Sequence, residues 1–129
     1  MAEHPNITLW RNGQEAFTRR DLGDIRDLYS EDVVYHVPGT HRFAGDHRGL
    51  DSVMQLLARL VSEASLQITN VHAVMADEDH VVALLRMTGK QGDEQVSFDQ
   101  ANIYHVTDGK ITEAWLLPAD PFALNGLFS

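Results

Sequence analysis

The sequence predicts an α+β fold in which helices pack on one face of a strongly curved antiparallel sheet, giving a cone-shaped domain. Two observations support this prediction. Apolar residues recur at helical spacing in the first half of the chain, whereas β-rich runs separated by turn signals fill the second half. The length of those runs favours a bent sheet that wraps around a long helix and leaves an interior cavity.

The first element is a helix, because Ile7, Trp10 and Phe17 recur at helical spacing and form an apolar stripe. Asn6 or Thr8 has a side chain suited to cap its N-terminus. We interpret Trp10 as a core residue of this helix.

A second, shorter helix is predicted from Asp21, which has the side chain of an N-cap, to the neighbourhood of Ser30. The β-rich stretch Val33–Val37 follows and stops at a Pro-Gly pair. That stretch is therefore predicted to be a short strand that runs into a turn.

A glycine-rich loop from Gly39 to Gly49 leads to the third helix, which is predicted to begin at Asp51 or Ser52. This helix is clearly amphipathic. Its apolar face consists of Val53, Met54, Leu57, Leu60 and Val61.

Four β-rich runs occupy the rest of the chain: Leu66–Ala76, His80–Lys90, Gln95–Thr107 and Lys110–Leu117. The segments between them are short and rich in turn-forming residues. The last is Asp108-Gly109, and an Asp-Gly pair between two such runs is a strong hairpin signal. Three close hairpins predict an antiparallel meander.

Composition narrows the functional classes. The 129 residues predict a single domain, residues 1–129. The chain has no cysteine, and its formal net charge of -9 argues against a nucleic-acid partner, since phosphate binding needs clustered cationic side chains. We see neither a signal-peptide pattern nor an apolar run of the roughly 20 residues that cross a bilayer. We therefore expect a cytoplasmic protein with no membrane partner.

Three segments, RRDLGDIRDLYSEDVVYHVPG, FAGDHRGLDSVMQLLARL and VTDGKITEAWLLPAD, together with the order of the elements, resemble the SnoaL-like group of the nuclear transport factor 2-like superfamily. The group is named after a polyketide cyclase. The resemblance covers nearly the whole chain and implies a cone-shaped fold with a small-molecule pocket. Members of the superfamily include isomerases, dehydratases, epoxide hydrolases, cyclases and proteins without chemistry, so function depends on the residues in the pocket.

Ketosteroid isomerases of this superfamily use a tyrosine and two acids. When the chain is aligned to that pattern, these roles fall on Gly13, Val37 and Asn102. Glycine and valine transfer no protons, which argues against this chemistry. A slip of one residue would place His36 at the position of the base.

Epoxide hydrolases of the superfamily use two aspartates and an arginine, for which the candidates are Arg86, Asp99 and Asp120. We favour simpler interpretations of these residues. Arg86 and Asp99 are expected to form an ion pair on the sheet surface, and Asp120 is expected to cap a tail helix over Pro121–Phe128.

Cyclases of the SnoaL type rely on an acid and a histidine in a mostly apolar pocket. Here the alternating residues Gln100, Asn102 and Tyr104 offer amides and a phenol instead of a carboxylate. The candidate catalytic residues are therefore His36, as the acid/base, and Asn102, as the group that orients a carbonyl.

The ligand-binding residues that we expect are Tyr35, Val37, His41, Gln100, Tyr104 and Trp115. Tyr35 and His36 are adjacent, and neighbours on a regular strand point to opposite faces. The sequence does not decide which of the two side chains lines the pocket. The spacing of His36, His41 and His47 matches no strong zinc pattern, so we expect neither a metal nor another cofactor.

A sheet with one face in solvent usually alternates buried apolar residues with exposed polar ones. The apolar runs VVALLRM and EAWLL do not show this alternation. They suggest a homodimer formed through the sheet.

Two functions stay open. One is a pocket for a small apolar or aromatic molecule, with proton transfer on a carbonyl or polyketide-like compound if the chain is an enzyme. The other is a non-catalytic binding or dimeric interaction module.

Overall fold

The structure is a computed structural model that describes residues 3–120 and 122–128. The single domain predicted from the sequence covers residues 1–129. It therefore includes Met1, Ala2, Pro121 and Ser129, which lie outside the described residues. The elements in chain order are α1 (Pro5–Arg19), α2 (Leu22–Asp27), β1 (Tyr29–Val37), β2 (Gly45–Arg48), α3 (Leu50–Ala64), β3 (Gln67–Ala76), β4 (His80–Gln91), β5 (Glu94–Thr107), β6 (Lys110–Pro118) and α4 (Ala123–Leu127).

The six strands form one curved sheet in the order β2-β1-β6-β5-β4-β3. Strands β3 to β6 form the predicted antiparallel meander. The sheet is antiparallel as predicted except at one pair, where β1 lies parallel to β6. Parallel neighbours need a long crossover, and here α3 and the rest of the meander lie between the two strands.

Helix α3 is the central packing element. Val53, Leu56 and Leu60 are buried in the main core with the inner face of the sheet, whereas Met54 packs in a second cluster with Ile25 of α2. Because α3 has the sheet on one side and α1–α2 on the other, its apolar surface is wider than one stripe.

Helix α1 is held at its N-terminal end by a cap and by contacts with the β3–β4 turn. At its start the Nδ1 of His4 accepts the N–H of Asn6, so His4 is the cap and the predicted cap at Asn6 or Thr8 was wrong. The Asn6 side chain instead donates to the carbonyls of Asp77 (2.9 Å) and Glu78 (3.0 Å) in the β3–β4 turn. These contacts tie α1 to the sheet and thereby position Trp10.

Several local predictions are corrected by long-range pairing. Helix α2 ends at Asp27 rather than near Ser30, because Tyr29 already pairs with Ile111. The glycine loop contains strand β2, which the sequence analysis missed. Helix α3 begins at Leu50 with no side-chain cap.

The tail closes one end of the fold. Asp120 accepts the N–H of Phe122 through Oδ1 (2.9 Å) in the turn before α4. The N-cap of α4 is Phe122, with no side-chain capping hydrogen bond, so the predicted capping role of Asp120 was wrong. The helix itself is shorter than predicted, and Phe128 beyond it is 1% exposed. No helix in the described ranges is long and apolar enough to span a membrane.

Candidate functional site

A small cavity lies between α1, α3 and the inner face of the sheet, with a volume of about 80 Å³. Aromatic and aliphatic side chains form most of its wall. Without side-chain movement it has room for several water molecules or for the polar head of a ligand.

A wider hollow of about 290 Å³ shares Gln14, Phe17, Leu66, Gln67 and Ile68 with this cavity. We call it the vestibule. Its volume approaches the lower end of the roughly 300–1,000 Å³ that small-molecule sites occupy. Cavity and vestibule together therefore offer a place for a polar head and an apolar body.

A ladder of polar side chains runs along the inner face of β5. Gln100 Nε2 donates to Asn102 Oδ1 at 2.7 Å, and Asn102 Nδ2 donates to the Tyr104 hydroxyl at 3.1 Å. All three residues are at most 6% exposed and line the cavity. They share a face because side chains alternate along a strand. The structure thus brings Gln100, Asn102 and Tyr104 together in the cavity wall, and their role in catalysis or ligand binding stays a prediction.

Two buried polar atoms in this cavity have no hydrogen-bond partner among the described residues: the donor Trp10 Nε1 and the acceptor Gln100 Oε1. The indole N–H lies near the Tyr104 hydroxyl and acts to lower its pKa, but it lacks full hydrogen-bond geometry. Buried polar groups almost always have partners. An unpaired donor and an unpaired acceptor in one cavity thus indicate a place where another molecule bonds.

Three tyrosines complete the polar part of the wall. The hydroxyls of Tyr29 and Tyr35 are 2.7 Å apart, and their rings meet edge to face. Burial raises the pKa of Tyr29, Tyr35 and Tyr104 above the ordinary value of 10.0. All three are therefore neutral phenols near pH 7.

His36, the candidate acid/base, does not line the cavity. Tyr35 is buried in the cavity wall, and His36 points to the opposite, outer face. The strand is regular here, since residues 34–37 pair continuously with β2, so the alternation admits only one of the two. Trp115, a predicted ligand contact, is also on the outer face, where its ring stacks on His36 at 5.1 Å.

Val37 and His41 also lie outside the cavity. Val37 lines a separate void of about 10 Å³ near α4. His41 Nε2 donates to the Pro38 carbonyl at 2.9 Å, and its Nδ1 accepts the N–H of Phe43. These bonds hold the loop before β2, so the structure gives His41 a place in the loop rather than in the pocket.

Trp10 and Tyr29 are cavity residues that the sequence analysis did not select. Trp10 shares the helical stripe that identified α1, but that stripe also describes an ordinary core face. Only the packing of α1 over β5 shows that Trp10 lines a cavity and is not an ordinary core residue.

Across residues 3–120 and 122–128, no group of three or more His, Asp and Glu side chains is arranged to hold a metal ion.

Arg86 and Asp99 form an exposed ion pair at 3.1 Å on the outer face, which confirms the interpretation as a surface pair. Neither residue lines the inner cavity. Asp120 accepts the N–H of Phe122 in the turn before α4.

His36 connects three strands on the outer face. Its Nδ1 lies 2.6 Å from Asp46 Oδ1 on β2, and its Nε2 lies 2.5 Å from Glu113 Oε2 on β6. Partial burial acts to lower the pKa of His36, but hydrogen bonds to Glu113 and Asp46 outweigh it and raise the pKa above 6.5. The hydrogen bond from His36 in turn lowers the pKa of Asp46 below 3.8.

This cluster predicts a pH dependence of stability. A raised histidine pKa gives stabilisation that is complete below pH 6.5 and is lost as the pH rises through the folded-state pKa. A lowered aspartate pKa gives stabilisation that is complete above pH 3.8 and is lost as the pH falls. The contribution of the cluster is therefore largest between these two values.

We expect His36→Gln to lose this contribution, so that the stability difference from the wild type shrinks as the pH is raised from 6 to 9. Urea unfolding at several pH values measures the difference. The control is His72→Gln, an exposed histidine on β3. A difference from the wild type that is constant across this range would contradict the ion-pair role of His36.

Comparisons with known proteins agree with this architecture. The model of the SnoaL-like domain matches residues 10–114. An uncharacterized protein of Mycobacterium tuberculosis is 28% identical over 131 residues, with both chains covered in full. This relative shows that the whole chain, not a fragment of it, has a counterpart.

Solved structures show the same fold at low identity. Bal32a from a soil-derived mobile gene cassette has a TM-score of 0.90, 22% identity and 97% coverage of each chain. An NTF2-like protein of unknown function from Burkholderia pseudomallei has a TM-score of 0.85 and 16% identity, covering 98% of this chain and 99% of the other.

A putative polyketide cyclase from Xanthomonas campestris has a TM-score of 0.72 and 21% identity, covering 87% of this chain and 88% of the other. At such identities the structures establish the fold and not the reaction. The family match, which spans most of the chain, goes further: this α+β protein belongs to the SnoaL-like domain family.

Proposed function

We propose that the chain binds a small neutral polar group attached to an apolar or aromatic body, with the polar group in the inner cavity. The observation that supports this proposal is the unpaired donor Trp10 Nε1 and the unpaired acceptor Gln100 Oε1 in one cavity. A ligand that accepts from the first and donates to the second satisfies both groups. The apolar body then lies against Phe17, Leu66 and Ile68 in the vestibule.

We favour binding over catalysis because of the ionisable groups available. Among the described lining residues, the only ionisable side chains are the three tyrosines, whose pKa values burial raises. General acid–base catalysis works best with a group whose pKa lies near the working pH. A neutral cavity of this kind is better suited to holding a neutral ligand.

Proton transfer on a carbonyl or polyketide-like compound is the second candidate, favoured by the likeness of the fold to a putative polyketide cyclase. It would need Asn102 and a phenol, Tyr35 or Tyr104, to hydrogen-bond to the carbonyl oxygen, and a base to take the substrate's C–H proton. The described lining residues include no carboxylate or imidazole for that second role. His36 would have no direct part in it, since it lies on the other side of the sheet.

Benzamide tests the binding proposal, because its amide carries an acceptor and a donor side by side. We expect calorimetric titration to show that the wild type binds benzamide about tenfold more tightly than acetophenone, which has only the acceptor. Gln100→Leu should remove this preference. His36→Ala, outside the cavity, should retain it.

Circular dichroism and thermal unfolding check that each variant is folded before titration. Two results would contradict the proposal. One is a wild type that shows no binding of benzamide at millimolar concentration. The other is a folded Gln100→Leu variant that keeps the full preference.

We also propose that the outer face of the sheet pairs with a second copy of the chain. Ile103, Trp115 and Leu117 are partly or fully exposed there, and a shallow groove of about 560 Å³ lies beside Leu84 and Leu117. The flanking ion pairs carry both signs of charge, as an interface that contacts itself across a two-fold axis requires.

Sedimentation velocity at micromolar concentration should show that the wild type is a dimer and that Ile103→Lys dissociates it. A monomeric wild type would contradict the proposed interface.

A further inference from the structure

Arg20 differs from the other arginines of the chain. The other seven of the eight arginines in the sequence each lie within ion-pair distance of a carboxylate. No carboxylate in the described part of the chain pairs with Arg20, although the sequence has 19 acidic residues. A cation that stays unpaired in so acidic a chain is available for an anion from outside.

The position of Arg20 relates it to the candidate site. It lines the vestibule, and it is the only charged side chain among the described residues that do so. The cavity and the vestibule share residues of α1 and of the segment that enters β3, so a molecule seated in the cavity extends towards this rim.

The backbone around Arg20 is fixed. Arg20 is the C-cap of α1 in the left-handed conformation, with φ of 58°, and its N–H donates to the Phe17 carbonyl at 3.1 Å. The N–H of the following residue, Asp21, donates to the carbonyl of Ala16 at 2.9 Å. Only the long side chain is therefore left to adapt to a bound group.

We propose that the ligand is a carboxylic acid whose neutral polar head occupies the cavity and whose carboxylate binds Arg20 at the rim of the vestibule. This inference rests on the proposed function and names its ligand class. A guanidinium matches a carboxylate through two parallel hydrogen bonds. Because the chain carries a net charge of -9, an anion needs a specific cationic partner to bind, and Arg20 is the charged side chain at the vestibule.

The test compares 4-carbamoylbenzoate with 4-methylbenzamide, which has the same amide head and ring but no charge. 4-(Carboxymethyl)benzamide extends the reach of the carboxylate by one methylene group. In calorimetric titrations at low ionic strength, we expect the wild type to bind the better of the two acids about fivefold more tightly than 4-methylbenzamide. This advantage should disappear in 0.5 M salt, where exposed charges are screened.

Arg20→Gln should abolish the advantage of the acids and leave the affinity for 4-methylbenzamide unchanged. The matched control is Arg19→Gln, because Arg19 is its neighbour, is also exposed and is paired with Asp24 at 3.1 Å. This control should retain the full advantage. Arg20→Lys should keep part of it, because the charge remains but the planar fork is lost.

The outcomes separate the two proposals. If the wild type binds all three amides equally, or if Arg20→Gln keeps the advantage of the acids, the role of Arg20 is overturned while the cavity proposal stands. If benzamide and its derivatives all fail to bind the wild type, the cavity proposal fails, and the inference about the carboxylate fails with it.

Discussion

Replacing Phe128 with alanine is expected to lower the free energy of unfolding by about 3–5 kcal/mol, the usual range for a buried phenylalanine. The side chain is 1% exposed and meets the ring of Phe43 edge to face at 5.0 Å. It also contacts the His41 ring at 5.3 Å. The substitution therefore leaves a cavity where the tail packs against the loop before β2. Urea unfolding followed by circular dichroism measures the loss.

The chain offers a close control for this substitution. Phe122 lies in the same tail but is 73% exposed, so Phe122→Ala should change the stability by no more than about 0.5 kcal/mol. Equal effects of the two substitutions would show that Phe128 is not part of the core.

Asn102→Asp is the second change with a large expected effect. It places a carboxyl group in a buried, mostly apolar site, where burial raises the pKa of an acid and each unit costs about 1.4 kcal/mol. Donors on Gln100 and Tyr104 offset part of this cost. We expect the variant to be about 2–4 kcal/mol less stable than the wild type at pH 8.

The sign of the pH dependence follows from the raised pKa. Well below the ordinary aspartate pKa of about 3.9, the new acid is neutral in both the folded and the unfolded state, so the charge-dependent loss is absent. The loss grows as the pH rises towards the folded-state pKa, because only the unfolded chain then ionises freely. Stability curves at pH 4.5 and pH 8 measure this difference.

Asn70→Asp is the matched control, because Asn70 is an exposed asparagine on β3. Its effect should stay within about 0.5 kcal/mol at both pH values. A loss for Asn102→Asp that is equally small at pH 8 would mean that the carboxylate reaches water, and the cavity would then be more open than the structure shows.

The side chain at position 102 also distinguishes this chain from the ketosteroid isomerases to which the sequence was aligned. An asparagine occupies the place where the alignment puts an acid, and it takes part in a ladder of neutral groups. Amides such as those of Asn102 and Gln100 select a ligand by hydrogen bonding and act as neither acid nor base near pH 7. The preference for binding over catalysis is supported by this difference.

Much of the fold could be predicted from local patterns. The four strands of the meander begin and end within two residues of the predicted bounds, because alternating patterns and turn residues mark them locally. Strand β2 and the parallel pairing of β1 with β6 were missed, since both depend on partners far along the chain. Asp27 ends α2 early for the same reason.

By itself the sequence determined that β5 presents Gln100, Asn102 and Tyr104 on one face and that Tyr35 and His36 take opposite faces, because side chains alternate along a strand. It did not determine which face is the inner one. Only the tertiary structure decided that, since burial of an alternating strand is settled by the helices that cover the sheet. The same packing of α1 over β5 brought Trp10 and Gln100 to one cavity and left His36 on the far side.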